Sequence, residues 1–429
     1  MEDINKNNPR PELGWYPDVL SHTGSRAVMA IRRSMRPRTR FLHGFTRVRN
    51  KMMLIIQATL AAGIAYWFAL DVLGHNNPFF APMAAFIGLN VLTQGPRLKS
   101  SVQLVFGAAL GVFVGDLIIS SLGTGTVQLT LGVFAAMIVG VFMGRGPLVV
   151  NQAASSAVLI ATIMPPGTMS AYNRMIDALV GGIIGVIIMA VLPRNPLPGV
   201  RRRVATVLDL AADILYDVGR GLQTGDTERI RAALQVGRSS QVEVTTMDSA
   251  LAEAQEQVKV SPLLWHQREK LASLARIVHP TDNAMRNIRI LARRSIVAKE
   301  DHIEISPELV NIILDVSDAA RTVRILLDNN PNLEHIPAWG ELPYEDSATL
   351  SERTTTSYED AIRQLRRLAA RMHPSLIEGK TLSEVVVFAQ CRSLTVDLLQ
   401  VCGLSRLSAV ATLPPTTPHP AVPPEVWAD

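Results

Sequence analysis

Charged side chains and cysteines are both scarce in this chain. Only 18% of its 429 residues are charged, whereas 48% are hydrophobic, a share at the top of the range for ordinary globular proteins. The two cysteines, Cys391 and Cys402, are spaced so that in a helix they would share one face. We therefore expect packed, reduced thiols rather than a disulfide.

Motifs that would indicate an enzyme are also lacking. The sequence contains no Walker loop, no Rossmann glycine cluster, no nucleophile elbow and no set of metal ligands, and its histidines are scattered. We therefore predict neither catalysis nor ATP hydrolysis, and we expect no cofactor and no metal. The first residues, roughly 50 of them, are hydrophilic, so no cleavable signal peptide is predicted.

The chain has instead a series of long apolar segments between Met52 and Leu192. Four of them approach the ~20 residues that a helix needs to cross the hydrocarbon core, and the second and fifth are shorter. A soluble bundle could in principle hold such helices, but six in succession with few charges are hard to bury otherwise. The pattern predicts an all-α integral membrane protein with six spans, at residues 52–73, 79–92, 102–122, 127–142, 148–164 and 172–192.

The two short spans occupy matching places in the two halves of this region. The first contains Pro78, Pro82 and Asn90, and the second carries Asn151 and Gln152 near its start. Irregular backbone cannot face lipid, so it must line protein or a water-filled path, and paired broken spans mark transport sites. Membrane transport is therefore the first interpretation, with these five residues on the path.

An internal repeat relates the two halves. A shift of 74 residues places Gly107 on Gly181 and Gly111 on Gly185. Because each half has three spans, the second half enters the membrane from the opposite side, which predicts two inverted three-helix repeats. The same glycines form small-xxx-small faces that let helices approach closely, and packing alone would also explain them.

Lysine and arginine are distributed asymmetrically around the spans. They crowd the segment before the first span and recur in later connections as Arg97, Lys99 and Arg145, whereas the first and third connections have none. The positive-inside rule then places both termini in the cytoplasm of a cell-membrane protein, with Arg174 as an exception at the outer side. The basic run at residues 32–40 fits topology setting and contact with anionic lipid better than binding of nucleic acid.

A helical region without spans follows residue 192. Apolar residues recur there with helical spacing, for example Val204, Val207, Leu208 and Ala211. Helix breaks are expected near Gly225, Pro262, Pro280, Pro307, residues 331–337 and Pro374. Two basic runs, at 289–294 and 366–371, are interpreted as solvated faces, with an anionic ligand, lipid headgroups or a subunit contact as the alternatives.

These patterns divide the chain into four parts. We predict a basic cytoplasmic segment at residues 1–51, a six-span transmembrane domain at 52–193, and a cytoplasmic α-helical bundle of roughly six helices at 194–410. The proline-rich tail at 411–429 is predicted to be disordered.

Charged residues inside the spans are the strongest candidates for a site. Asp116 lies in the third span, and Arg174 and Asp177 lie in the sixth. Because a buried charge in lipid is costly, each is a site hypothesis. We expect an outer cluster in which Arg174 attracts an organic anion and Asp116 or Asp177 exchanges a proton. A purely structural ion pair of Arg174 with a carboxylate is the alternative.

Two further groups could contact an anion. Arg97, Lys99 and Arg145 could attract anions to an inner mouth, although the topology rule alone accounts for them. The amides of Asn151 and Gln152 could donate hydrogen bonds to a carboxylate, or equally to a neighbouring helix.

Several short motifs resemble one family. The stretch from Asn77 to Ala85, NPFFAPMAA, resembles the P-aromatic-A-P-x-A-A segment of the fusaric-acid-resistance-like, or aromatic acid exporter, family. The GPRLK sequence at residues 95–99 with Gly107 and Gly111 is similar to that family's basic loop and glycine-rich span, and NIRILARR at 287–294 is similar to a basic helix of its soluble domain. The resemblance covers most of residues 52–410.

The resemblance implies efflux of small organic acids by an oligomer with shared cytoplasmic helices, and the related plant malate channels suggest a pore at a dimer interface. We therefore predict a homo-oligomer in the lipid bilayer, with a dimer favoured, that passes small organic, including aromatic, acid anions and binds no nucleic acid. The alternative is a membrane-anchored assembly or regulatory scaffold whose helical domain binds partners. A water-accessible path would favour transport, and a dry, lipid-plugged centre would favour the scaffold.

Overall fold

The computed structural model describes residues 37–89, 97–143, 146–163, 171–193, 195–329 and 358–425. Every regular element within these ranges is a helix. The chain divides into two compact units, Met1–Gln57 and Ala58–Asp429, with the boundary inside the first helix.

The first six helices overlap the six apolar segments, although the first begins at Pro37, well before residue 52. They are α1 (Pro37–Trp67, continued by a π-helical turn at Phe68–Val72), α2 (Phe80–Gly88), α3 (Arg97–Leu122), α4 (Thr126–Phe142), α5 (Pro147–Ile163) and α6 (Ala171–Val191). By length and composition, three helical stretches could cross a membrane: Met52–Val72, Lys99–Leu122 and Tyr172–Val191. Two shorter apolar helices are Thr126–Phe142 and Pro147–Thr162.

Helix α3 packs closely against α5 through its glycines. Gly107 lies against Val149, and Gly111 lies against Ala153, whose carbonyl a Cβ atom at Gly111 would overlap. Since the contacting positions increase together along both helices, α3 and α5 run in the same direction. The absence of a side chain at these positions allows the two backbones to touch.

Helices α2 and α6 form a second pair of the same kind. Gly181 lies against Ala81 and Gly185 lies against Ala85, so this pair is also parallel. Val105 of α3 contacts Gly182 of α6. The third helix of each half therefore packs on the second helix of the other half.

The remaining helices surround one apolar core. They are α7 (Leu197–Thr224), α8 (Thr227–Ser239), α9 (Gln241–Val260), a 3-10 helix (Pro262–Gln267), α10 (Arg268–Glu300), α11 (Pro307–Asn329), α12 (Tyr358–Ala370), a 3-10 helix (Pro374–Ile377), α13 (Leu382–Val401) and α14 (Arg406–Ala411). Helix α7 packs on α10 and α11, and α10 packs on α13. The apolar stripe predicted in α7 is confirmed, because Val204, Val207, Leu208 and Ala211 are all buried in this core.

Most of the predicted helix breaks are confirmed. Gly225 ends α7 in the left-handed conformation, and Pro262, Pro307 and Pro374 each begin a helix, whereas residues 331–337 lie outside the described residues. The break predicted at Pro280 is wrong, because this proline is buried inside α10. Burial of the neighbouring Ile277, Val278 and Ala284 in the core offsets the backbone hydrogen bond that Pro280 cannot donate.

The basic runs are bonded within this bundle. Arg289 donates to the Gln241 side-chain oxygen at 2.9 Å, and Arg371 pairs with Asp315 at 2.5 Å. These contacts fit the interpretation as solvated faces with local partners.

The described part of the tail differs from the predicted disorder at residues 411–429. The Arg392 guanidinium donates to the carbonyl of Pro414 at 2.6 Å, and the Glu425 backbone N–H donates to the Ala411 carbonyl at 2.8 Å. Glu425 also pairs with Arg366 at 3.0 Å. Proline lacks a backbone donor but keeps its carbonyl acceptor, so a proline-rich composition does not prevent a segment from docking on a helical bundle.

Candidate functional site

Four ionisable side chains form two adjacent pairs between the apolar helices. Arg174 Nη1 of α6 donates to Asp116 Oδ1 of α3 at 2.5 Å. His75 Nδ1 lies 2.7 Å from Oδ1 of Asp177, also on α6. Arg174 and Asp177 are three residues apart, so their side chains are neighbours on one face of the helix. We call these four residues the ionic cluster.

Local backbone features bring His75 to this position. The π-helical turn at Phe68–Val72 ends α1, and Gly74 and Asn77 follow with φ values of 68° and 55°. The backbone N–H of His75 donates to the Ala69 carbonyl at 3.0 Å, which fixes the turn. Two left-handed residues so close together redirect the chain between α1 and α2, where the imidazole contacts Asp177 of α6.

The ionic cluster is almost completely shielded. Arg174 is 2% exposed, Asp116 4% and Asp177 1%, whereas the His75 side chain is 13% exposed. Apolar packing continues one turn away, where Ile119 and other residues of α2, α3, α5 and α6 form a buried cluster. Buried charges are tolerated only when they are paired, which the two contacts achieve.

One carboxylate oxygen in the ionic cluster accepts no hydrogen bond within the described part of the chain. Asp116 Oδ2 is buried and has no hydrogen-bond partner among the described residues. A carboxylate offers about four acceptor positions, so this oxygen has room for a proton or a donor from a bound molecule.

The structure joins some of the predicted site residues. Asp116, Arg174 and Asp177 do meet, in the geometry of the alternative interpretation, a carboxylate ion pair with Arg174. The partner of Asp177 is His75, which the sequence analysis did not single out. Its position in a connection without lysine or arginine, three residues before Pro78, is the signal that could have found it.

The residues predicted on the two short apolar segments lie in different surroundings. Pro78 is buried ahead of α2, and Pro82 is half-buried in its first turn, whereas Asn90 lies outside the described residues. Gln152 has its Cβ beside Gly107, nine residues and about 13 Å along α3 from Asp116.

The two amides on α5 differ in exposure. Asn151 is exposed, and Gln152 is half-buried and donates to the Ser156 hydroxyl at 3.4 Å. They are therefore separate from the ionic cluster.

The predicted inner-mouth cations are only partly described. Lys99 is exposed at the start of α3, whereas the side chain of Arg97 and all of Arg145 lie outside the described residues. The backbone N–H of Lys99 donates to Glu256 Oε1 of α9 at 3.3 Å, so an acidic group that the sequence analysis missed lies at this end. Among the described residues, no group of three or more His, Cys, Asp or Glu could hold a metal ion.

Comparison with known proteins places the chain in a family. A family model described as fusaric acid resistance protein-like matches residues 61–188, which contain the whole ionic cluster. An uncharacterized protein of Corynebacterium glutamicum is 41% identical over 383 residues, which are 89% of this chain and 93% of the relative. The chain belongs to the fusaric acid resistance protein-like family.

More distant relatives of this fusaric acid resistance-like protein carry a functional name. Proteins of Mycobacterium bovis and Mycobacterium tuberculosis, each named "Putative arylamide transporter", are 33% identical over 178 residues. The match covers 40% of this chain and 50% of each mycobacterial protein. Family and apolar helices together make this chain a membrane protein of the transport class.

Proposed function

We propose that this fusaric acid resistance-like protein passes small organic anions, including aromatic acids, across the cell membrane. The observation that carries the proposal is the ionic cluster, in which an arginine and two carboxylates are buried between apolar helices beside a partly exposed imidazole. Ionisable groups at such positions are expensive and mark substrate or ion pathways in membrane proteins. A guanidinium is also the side chain best suited to hold a carboxylate.

The helix contacts support a transport architecture. We infer six spans arranged as two inverted three-helix repeats. The parallel pairs α3–α5 and α2–α6 are related by exchange of the two halves, and the paired contacts Val105–Gly182 and Asp116–Arg174 make α3 and α6 antiparallel. Helices α2 and α5 then begin at opposite ends of the group, as an inverted repeat around a central site requires.

The ionic cluster suggests how an anion would bind. Arg174 is already neutralised by Asp116, so an incoming carboxylate must replace this partner. Protonation of Asp116 at Oδ2, which has no hydrogen-bond partner among the described residues, would remove the negative charge opposite Arg174 and so favour binding of the substrate anion. Asp177, held by the partly exposed His75, is the second group that could exchange a proton with the aqueous side.

Aromatic substrates are favoured by the relatives. The mycobacterial proteins are named for arylamides, which share an aromatic ring with aromatic acids. Near the ionic cluster, Phe79 and Phe80 form an edge-to-face pair with ring centroids 5.4 Å apart, and Phe79 is 40% exposed. An exposed ring at the start of α2 offers a surface on which an aromatic ring can pack.

The remaining parts of the proposal concern topology and assembly. Both termini lie in the cytoplasm, the helices after residue 193 form a cytoplasmic domain, and the protein works as a homodimer in the bilayer. The exposed apolar side chains of α4, among them Phe134 and Phe142, provide a surface for lipid or for the second subunit.

Flux measurements in reconstituted vesicles test the proposal. A panel of aromatic and aliphatic acids is offered with and without a pH gradient, and we expect saturable flux of aromatic acids that exceeds protein-free vesicles. Asp177→Asn should alter the response to the gradient if this carboxylate exchanges a proton. No flux of any acid would contradict transport and favour the scaffold function. Flux that Arg174→Ala impairs, but Asp116→Asn and Asn151→Ala leave unchanged, would contradict a path through all three residues.

A further inference from the structure

The short segment that joins α9 to α10 touches the ends of two apolar helices. Ser261 is 2% exposed, and its hydroxyl donates to the carbonyl of Ala190, in the last turn of α6, at 2.6 Å. One turn earlier in α9, Glu256 accepts the backbone N–H of Lys99 in the first turn of α3. We call residues 261–267 the junction segment.

These two contacts place the junction segment at the ends of α3 and α6. Stretches Lys99–Leu122 and Tyr172–Val191 are long and apolar enough to span a membrane. Lys99 begins the first stretch and Ala190 lies at the end of the second, so an antiparallel pair brings both to the same face. Ser261 and Glu256 satisfy backbone groups that a helix end leaves free, as caps do. The junction segment therefore lies where these helices leave the hydrocarbon core.

The junction segment has one buried and one exposed apolar face. Leu264 and Gln267 point into the bundle and are 4% and 9% exposed. Leu263 and Trp265 point the other way and are 60% and 52% exposed. Both large apolar side chains would otherwise be exposed to water at this end of the helices.

The chemistry of the exposed face matches a lipid headgroup layer. The Arg268 guanidinium lies 4.8 Å from the centre of the Trp265 ring. Tryptophan is enriched at membrane interfaces because its ring is apolar and its N–H is polar, and arginine extends its charge from such sites to the headgroups. Within residues 259–270, the three basic residues Lys259, Arg268 and Lys270 outnumber the one acidic residue, Glu269.

We propose that the junction segment is an interfacial membrane anchor. Leu263 and Trp265 enter the headgroup layer on the face where α6 ends, and Arg268 contacts anionic lipid headgroups. The anchor holds the helical bundle at the membrane surface, and this role does not depend on what the spans transport.

The chain offers a clean labelling experiment and a matched control. Both native cysteines are fully buried, and burial raises the pKa of the Cys391 and Cys402 thiols to about 12, so neither reacts readily in the folded protein. Leu263→Cys places the single accessible thiol on the proposed anchor. Leu382→Cys is the control, because Leu382 is 69% exposed, similar to Leu263.

The control position is far from the junction segment. Helix α10 starts at Arg268 and is 33 residues long, about 50 Å. Beyond its other end, Ser306 donates its backbone N–H to Glu384 Oε1 at 3.2 Å, two residues after Leu382.

The full-length variants are labelled with bimane and reconstituted in vesicles that contain a brominated lipid. We expect brominated lipid to quench the label at position 263 and iodide in the buffer to leave it bright, with the reverse at position 382. Brominated phosphatidylglycerol should quench position 263 more than brominated phosphatidylcholine, and Arg268→Gln should remove this difference. Equal iodide quenching at both positions would overturn the anchor, and protection of position 263 from both quenchers would also overturn it, in favour of a second copy of the chain.

Discussion

Arg174 of α6 donates a hydrogen bond to Asp116 of α3 at a point where both side chains are buried. The contact joins the third helix of one half to the third helix of the other. A buried ion pair of this kind adds little net stability, but the loss of either partner is costly because the other charge then stays buried without it.

Substitution of Arg174 or Asp116 alone should therefore destabilise the protein, whereas substitution of both should destabilise it much less. We expect Arg174→Met or Asp116→Leu alone to lower the free energy of unfolding by about 3–5 kcal/mol, since each removes one partner of a buried charge pair and leaves the other in place. The double variant Asp116→Leu/Arg174→Met should recover most of this loss, because two apolar side chains fit the surrounding helices. Thermal unfolding in detergent measures all three variants, and additive losses in the double variant would show that the two residues do not interact.

The glycines of α3 and α6 should tolerate no side chain. Gly111→Ala and Gly181→Ala each place a methyl group on a backbone carbonyl of the facing helix, of Ala153 and Ala81 respectively. We expect each to destabilise the protein by at least about 1–3 kcal/mol, because the helices must separate.

Gly63→Ala is the matched control for the glycine variants. This glycine also lies in an apolar helix, but a Cβ atom there meets nothing within 4 Å. Alanine should therefore stabilise α1 by up to about 1 kcal/mol through helix propensity. The melting temperatures of the detergent-solubilised variants test this comparison. Equal changes in melting temperature for Gly63→Ala and Gly111→Ala would contradict the close contact of α3 with α5.

Asp397 should make the stability of the helical bundle depend on pH. Burial raises the pKa of this carboxyl from 3.8 to about 7, while Asn287 donates a hydrogen bond to it at 2.8 Å. The folded chain then holds the proton more tightly than the unfolded chain, so the stabilisation is complete below about pH 4 and is lost as the pH rises to about 7. The loss corresponds to about 4 kcal/mol.

Asp397→Asn tests this dependence, because its amide oxygen can still accept from Asn287. The variant should be more stable than the native chain at pH 8 and should change little between pH 5 and pH 8. Unfolding curves at the two pH values decide the matter, and parallel pH profiles of the variant and the native chain would contradict a buried neutral carboxyl.

Arg392 should control whether the tail stays docked. Its guanidinium bridges the carbonyls of Met372 and Pro414, which an alanine cannot do. We expect Arg392→Ala to increase amide hydrogen exchange in residues 413–425 by more than tenfold, which corresponds to about 1.4 kcal/mol. Arg366→Gln removes only an exposed pair with Glu425 and should have a much smaller effect. Unchanged exchange in Arg392→Ala would show that other contacts hold the tail.

Local patterns predicted the helices better than the contacts between them. Apolar spacing identified the buried face of α7, and the glycine spacing identified the faces of α3 and α6 that pack. The sequence did not show that Pro280 stays inside a helix, because tertiary packing offsets the lost bond there. It also did not show that His75 is the partner of Asp177, because the residues are 102 positions apart and only the folded turn after α1 brings them together.

The central claim is that an organic anion passes through the ionic cluster and uses Arg174. The most direct test is uptake of a radiolabelled aromatic acid by vesicles that contain either the native protein or the Asp116→Leu/Arg174→Met variant. We predict saturable uptake by the native protein and none above protein-free vesicles by the variant, at matched protein content and matched thermal stability. Equal uptake by the two proteins, or no uptake by the native protein, would contradict the claim.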